Sequence, residues 1–171
     1  MISIKNAARD ELYEVSVFLN LCWKAEYSGL VEPDFLGDLS DEKRHEALLG
    51  RFDEGTSDFF VMRDGDELIG AAAFGKSYTG GYLEDGEISA IYLRRDYIGK
   101  GCGHALFTKI EEALSAKGYS YFVLDVLSGN VRAVDFYKKH GYEIVDERSV
   151  KLGEREYPLT VFRKKNLLIK S

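Results

Sequence analysis

The segment YIGKGCGHALFTKI, residues 97–110, places a glycine at every second position before a stretch with helical apolar spacing. Its glycines are Gly99, Gly101 and Gly103. Glycine loses much backbone entropy on ordering, so three so close together are typical of a backbone with positive φ or one that approaches a ligand closely. The start of the following helix would add free N–H groups and the positive end of its dipole, which both favour an anion. The segment therefore predicts a phosphate-binding loop.

The elements around this loop alternate between strand and helix. We predict strands at 87–93 and 121–127 and helices at 103–117 and 131–140. The first of these helices carries an apolar stripe, and Gly118 is suited to end it. Because strand–helix–strand crossovers are right-handed, the two strands are expected to lie parallel in one sheet.

The remaining segments are predicted to extend this sheet. The first half reads as a strand at 2–7, a helix capped by Asp10, a loop or broken helix, and a helix at 42–52. A hairpin is expected at Asp64, Gly65 and Asp66, and two antiparallel strands are expected around Gly153. No repeat or linker interrupts the chain, so residues 1–171 are predicted to form a single domain.

The composition excludes several classes of protein. With 45% apolar and 30% charged residues, the chain is unlike disordered or fibrous proteins. A net charge of −6 argues against binding to nucleic acid. The N-terminal residues lack the order of a signal peptide, and no apolar run reaches the roughly 20 residues of a membrane span. We therefore expect a cytoplasmic protein with no membrane role, and Cys22 and Cys102 as reduced thiols.

The glycine loop alone is compatible with more than one ligand. The dinucleotide pattern G-x-G-x-x-G requires a third glycine where His104 stands, although Asp125, at a strand end, keeps that interpretation open. The P-loop pattern is absent. A tight turn without a ligand is the structural alternative.

Two motifs resemble those of the GNAT superfamily of N-acetyltransferases, most of all its small bacterial members. Residues 98–103 match its acyl-CoA motif Q/R-x-x-G-x-G/A, except that Ile98 stands in place of Arg or Gln. Residues 130–142 match its second motif, N-x-x-A-x-x-F-Y-x-x-x-G-F. The resemblance implies an α+β, three-layered fold: a mixed, mainly antiparallel sheet with splayed central parallel strands, flanked by helices.

The resemblance also implies a site for acetyl-CoA, the expected cosubstrate. Backbone amides of the loop would hold its pyrophosphate, and Lys100 would add a charge. The pantetheine arm would pair with the edge of the strand before the loop as an added strand does. The expected contacts are Ile91, Tyr92, Leu93, Ile98, Gly99, Lys100, Gly101, Cys102, Gly103, His104, Asn130 and Tyr137.

The implied reaction is direct acetyl transfer to a primary amine, and two residues are candidates for its proton transfers. Glu87 occupies the position of the base in some members, and Tyr137 matches the general acid of many members. Each has a structural alternative: Glu87 as a solvated strand-end carboxylate, and Tyr137 as part of a core pair with Phe136. Asn130 is equally suited to cap a helix.

The acceptor and the assembly are less determined. Acidic residues expected near the acceptor favour a cationic amine, although a solvated surface explains them equally well: Glu26, Glu32, Asp34, Asp38, Glu84 and Asp85. Cys102 is expected to pack rather than react, and the three histidines are expected to be scattered and to bind no metal. A homodimer is left open. The alternatives in function are a non-catalytic CoA-binding sensor or scaffold and a nucleotide-dependent oxidoreductase.

Overall fold

The computed structural model describes residues 1–169, which form a seven-stranded sheet covered by helices on both faces. The strands are β1 (Ile2–Asn6), β2 (Ser57–Asp64), β3 (Glu67–Lys76), β4 (Gly86–Leu93), β5 (Tyr121–Leu127), β6 (Glu143–Leu152) and β7 (Arg155–Lys165). The helices are α1 (Leu12–Glu26), α2 (Pro33–Gly37), α3 (Asp41–Asp53), α4 (Cys102–Ala116) and α5 (Val131–Lys139). Among the described helices, none is long and apolar enough to cross a membrane.

The sheet has the order β1-β2-β3-β4-β5-β7-β6, and β4 and β5 are its parallel pair. All other neighbours are antiparallel. The expected mixed, mainly antiparallel architecture is therefore confirmed, as is the parallel pairing of the strands that flank the glycine loop.

Each face of the sheet has its own apolar core. On one face α4 and α5 pack through side chains such as Leu106, Phe107 and Ile110, which have no exposed surface. On the other face α1 and α3 cover Phe59 and Val61. A third cluster joins the segment after α1 to the β6–β7 hairpin, and it includes Tyr27, Leu36 and Leu127.

The structure differs from the sequence-based expectation at two places in the first half. Asp10 does not cap α1, because the chain first makes a 3-10 turn at Arg9–Glu11, where the Glu11 carboxylate accepts the Ala8 amide at 2.8 Å. The segment expected as a loop or broken helix continues α1 to Glu26 and then forms the short helix α2, which begins at Pro33. Proline is well suited to that first helical position because it lacks an N–H.

Candidate active site

A cleft opens in the sheet where β4 and β5 separate. Their parallel pairing covers two register pairs, Gly86 with Phe122 and Glu87 with Val123, and then ends. The resulting cavity has a volume of about 360 Å³. Its walls are Glu26, Tyr27, Ile88, Ser89, Ala90, Ile91, Tyr92, Leu93, Ile98, Gly99, Gly101, Gly103, His104, Asp125, Val126, Asn130, Arg132, Ala133, Phe136 and Tyr137.

A β-bulge in β4 accompanies this separation. Ala90 pairs with Ala73 and Ile88 pairs with Phe74, so Ser89 is an extra residue in β4. The Ser89 hydroxyl donates a hydrogen bond to the Ala73 carbonyl at 3.1 Å. A bulge bends its strand and increases the local twist, which accounts for the divergence of β4 from β5. Beyond the bulge, β4 has no strand partner on its β5 side within the described residues.

The glycine loop leaves a set of backbone donors free at the cleft. Gly99 and Gly101 have φ of 80° and 83°, a conformation that favours glycine. The first backbone hydrogen bond of α4 is donated by the Ala105 amide to the Gly101 carbonyl at 3.1 Å. Amides from Gly99 to His104 therefore have no backbone acceptor in the described part of the chain, as is usual at a helix N-terminus.

These residues fit coenzyme A. The free amides and the α4 dipole suit a diphosphate, and the unpaired edge of β4 suits the two amides of a pantetheine arm. The motif departure at Ile98 leaves this donor set intact, because the donors are main-chain groups.

Tyr137 lies in the wall of the cleft and is 9% exposed. It belongs to α5, and its ring packs against Phe107 and Phe162 with centroids 5.9 and 5.8 Å away. Burial raises the pKa of its hydroxyl, with smaller contributions from Tyr27, Glu26 and Asp125. A phenol of this kind keeps its proton at neutral pH and can donate it as a hydrogen bond.

Glu87 lies beside the cleft rather than in its wall. Its carboxylate accepts hydrogen bonds from the Thr79 hydroxyl and, at 3.2 Å, from the Ser77 hydroxyl, and the residue is 9% exposed. The expectation of a solvated strand-end carboxylate does not apply to it.

Asp125 lines the cleft and was not singled out for catalysis from the sequence. It follows Val123 by two residues on β5, so it stands on the same face just beyond the last β4–β5 pair. Desolvation and the neighbouring charge of Glu87 raise the pKa of Asp125 to about 6, while Arg148 opposes the shift. One signal was available in the sequence: a single acid within the apolar run of 121–127.

The other predicted contacts divide into two groups. The cleft wall contains Ile91, Tyr92, Leu93, Ile98, Gly99, Gly101, Gly103, His104 and Asn130, in addition to Tyr137. Lys100 and Cys102 lie outside the wall: the Lys100 ammonium is 5.4 Å from the centre of the Tyr97 ring, and Cys102 is 6% exposed within the core. Asn130 also caps α5, where its side chain accepts the Ala133 amide at 3.3 Å.

Two of the three histidines are in contact, although all three were expected to be scattered. His104 Nδ1 lies 2.9 Å from His140 Nε2, so the three histidines are not all scattered. Their spacing in sequence, 36 residues, gave no sign of this contact. Within residues 1–169 no group of three or more potential metal ligands is found.

Several acids expected near the acceptor are paired with arginines. Arg132 binds both carboxylate oxygens of Glu26 at the cleft wall. Arg155 binds Glu32 at 2.6 Å, and Arg163 binds Asp85 at 2.7 Å. These three acids therefore contribute less negative potential than the sequence alone suggests.

Comparison with known proteins places these features in a family. The family model described as Acetyltransferase (GNAT) family matches residues 23–142. An uncharacterized N-acetyltransferase, YuaI of Bacillus subtilis (strain 168), is 26% identical over 155 residues, which cover 90% of this chain and 87% of that protein. The thialysine N-epsilon-acetyltransferase of Sus scrofa is 43% identical over 60 residues, covering 35% of this chain and 32% of its own.

A solved structure shows the same fold. The PaiA N-acetyltransferase from Thermoplasma acidophilum, in complex with coenzyme A, has a TM-score of 0.77 at 22% identity and covers 96% of this chain and 99% of its own. With the family model, the cleft and the free loop amides, this establishes that the chain belongs to the GNAT acetyltransferase family and is an acetyl-CoA-dependent acyltransferase.

Proposed function

We propose that this protein transfers an acetyl group from acetyl-CoA directly to a primary amine of a small molecule or peptide, within a ternary complex. The observation that carries the proposal is that a proton donor, Tyr137, and a basic carboxylate, Asp125, line one cleft with the loop amides. The amine nitrogen attacks the thioester carbonyl, a C–N bond forms and the C–S bond breaks. An alkylammonium loses two protons on the way to the amide: one goes to Asp125 before the attack, and the second replaces the proton that Tyr137 gives to the departing sulfur.

The loop and β4 would hold and orient the cosubstrate. Amides from Gly99 to His104 would bind the diphosphate, and the edge of β4 from Ile91 to Leu93 would align the pantetheine arm. Acetyl-CoA supplies an activated acyl group as a thioester. Alignment along a fixed strand edge would place the thioester near Tyr137. It would also hold the thioester in the orientation that the amine needs for attack.

Tyr137 would donate a hydrogen bond and then a proton to the departing sulfur. Its raised pKa, caused mainly by burial, keeps the hydroxyl protonated at neutral pH. The hydroxyl would stabilise the departing thiolate by a hydrogen bond, and its proton would pass to the sulfur as the nitrogen of the forming amide returns a proton to the phenol oxygen.

Asp125 would receive the proton of the amine, with Glu87 as a second carboxylate behind it. A pKa of about 6 makes Asp125 a stronger base than an ordinary aspartate, yet leaves it mostly ionised at neutral pH. Glu87, fixed by Ser77 and Thr79, contributes its negative charge. The sequence-based assignment of Glu87 as the base is thus extended to a pair in which Asp125 faces the cleft.

The acceptor is proposed to be a primary amine that arrives as a cation. An alkylammonium would be attracted by the negative charges of Asp125 and Glu87. Glu87 bonds to the hydroxyls of Ser77 and Thr79 rather than to an arginine, and Arg148 acts on Asp125 as a neighbouring charge. The partial similarity to thialysine N-epsilon-acetyltransferase agrees with an amine on a flexible chain.

The decisive experiment measures release of free coenzyme A thiol from acetyl-CoA across a panel of diamines, amino acids and peptides. We expect turnover with at least one primary amine, and a decrease in kcat of about 10²-fold to 10³-fold for Tyr137→Phe. Tyr13→Phe is the matched control, because Tyr13 is an exposed tyrosine of α1 outside the cleft. Tight binding of acetyl-CoA without turnover on any amine would contradict the proposal and favour a sensor.

A further inference from the structure

We infer that His104 and His140 form a hydrogen-bonded dyad that binds the diphosphate of coenzyme A. The dyad carries one extra proton, and therefore one positive charge, when it binds. The inference rests on the cosubstrate site and does not depend on which amine is acetylated. His104 is the ring at the cleft, and His140 is a positioning residue that acts through it.

The hydrogen bonds of His140 determine its tautomer. His140 Nδ1 lies 2.8 Å from the carbonyl oxygen of Phe136, which can only accept, so Nδ1 carries the proton. A neutral His140 therefore presents a bare Nε2. His104 Nδ1, 2.9 Å away, must donate to that nitrogen.

This arrangement leaves His104 Nε2 without a proton in the neutral dyad. A bare ring nitrogen offers a lone pair to the cleft, which is unfavourable beside a phosphate oxygen. One added proton on Nε2 changes the same atom into a charged donor, and charge-assisted bonds to phosphate are the stronger kind. The dyad therefore binds the anion together with a proton.

The surroundings leave the phosphate as the anion that would stabilise this proton. Neither histidine takes part in an ion pair within residues 1–169, and the rings of Phe107 and Phe136 pack on His140 with centroids 5.0 and 4.1 Å away. The cavity that His104 lines also contains the paired Glu26 and Arg132 and the carboxylate of Asp125, none of which bonds to either ring in the described structure. Lys138 and Lys139 precede His140 in the last turn of α5.

The test measures proton uptake on binding by calorimetry in buffers with different ionisation enthalpies. Dephospho-CoA is the probe, because its diphosphate keeps a constant charge near neutrality, whereas a phosphate monoester titrates near pH 6. We expect the wild-type protein to take up a fraction of a proton at pH 7.5. Its affinity should fall by about fivefold to tenfold between pH 6 and pH 8, because the charge-assisted bond to phosphate is lost with the extra proton.

Two variants separate the dyad from a merely structural role. His104→Asn should abolish the proton uptake and lower the affinity at pH 6 to the wild-type value at pH 8. His140→Phe removes the acceptor, so a neutral His104 can carry its proton on Nε2. That variant should bind more tightly than the wild type at pH 8, because Nε2 is then already a donor, so its pH dependence should be smaller. A structural defect would instead weaken binding equally at both pH values.

His45→Asn is the matched control, because His45 lies on α3 and outside the cleft wall. It should leave both the affinity and the proton uptake unchanged. Absence of proton uptake by the wild-type protein overturns the inference without any variant. An unchanged pH dependence in a folded His140→Phe protein overturns it as well.

Discussion

Asp125 shows how one residue acquires chemistry from its place in the sheet. It stands two residues beyond the last β4–β5 register pair, where the backbones have separated and the side chain meets the cleft. The sequence could indicate only a lone acid in an apolar strand. Its proposed role depends on Glu87, 38 positions earlier in the chain, and on the point at which β4 and β5 separate. Neither the proximity of Glu87 nor the point of strand separation can be predicted from the local sequence pattern.

We expect Asp125→Asn to decrease kcat by about 10²-fold to 10⁴-fold, because the amine loses its proton acceptor. In the wild-type protein, kcat/KM should rise with pH through about 6 as Asp125 ionises, and this limb should be absent from the variant. Glu87→Gln removes a negative neighbour that raises the pKa of Asp125, so the limb should move to lower pH. The measurement is a pH profile of thiol release.

The controls for this prediction concern folding and charge. Because the folded-state pKa of Asp125 is raised above the value of about 3.9 in the unfolded chain, this residue makes the fold less stable as pH rises from about 4 to about 6, and the loss persists above that range. Asp125→Asn should therefore unfold at pH 8 at a temperature no lower than the wild-type protein. Asp66→Asn, in the exposed β2–β3 turn, should leave the pH profile unchanged. A persistent limb near pH 6 in Asp125→Asn would assign the base elsewhere.

At the scale of elements, the loop and α4 were largely predictable and the bulge was not. The predicted helix at 103–117 differs from Cys102–Ala116 by one residue at each end, and the strand Tyr121–Leu127 was predicted with its observed bounds. Glycine spacing and helical periodicity are local signals, which explains this agreement. The bulge at Ser89 is defined by the register of β4 against β3, so the sequence of residues 87–93 alone does not predict it.

Two glycines of the loop should respond differently to the same substitution. Gly101 has φ of 83°, so Gly101→Ala should lower the free energy of unfolding by about 1–2 kcal/mol, although no atom lies within 4 Å of the added Cβ. Gly103 is in the first turn of α4, where an added Cβ would meet Leu93 and Phe136 at 3.5 Å, an ordinary contact. Gly103→Ala should leave that free energy within about 0.5 kcal/mol of the wild type or raise it.

Urea unfolding in the absence of ligand measures this difference, and calorimetric titration with acetyl-CoA measures its effect on the site. Gly101→Ala should also weaken acetyl-CoA binding, because a shifted backbone no longer directs its amides at one point. Equal stability of the two variants would show that the loop accommodates an alanine without strain.

The whole molecule consists of two sheet halves that diverge at the site. Strands β1–β4 form one half and β5–β7 the other, and the parallel pairing between them stops at Glu87 and Val123. The parallel pairing of β4 and β5 could be predicted because right-handed crossovers leave few alternatives. The histidine contact could not be predicted, because it depends on the packing of α5 against α4. The width of the cleft could not be predicted either, because it depends on the bulge at Ser89. A ligand in the cleft should therefore act as a bridge between the halves.

Amide hydrogen exchange with separate fragments of coenzyme A tests whether the loop and the edge of β4 are two separate binding surfaces. We expect coenzyme A to slow exchange at 88–93 of β4 and at 98–104 of the loop, and at 100 times its Kd to add about 2.7 kcal/mol to the free energy of unfolding. Adenosine 3′,5′-bisphosphate should protect the loop alone, and pantetheine the strand edge alone. The β6–β7 hairpin serves as the internal reference, because none of its residues lines the cleft. Protection of the loop by pantetheine, or uniform protection by either fragment, would mean that ligand binding stiffens the fold globally rather than through two separate surfaces.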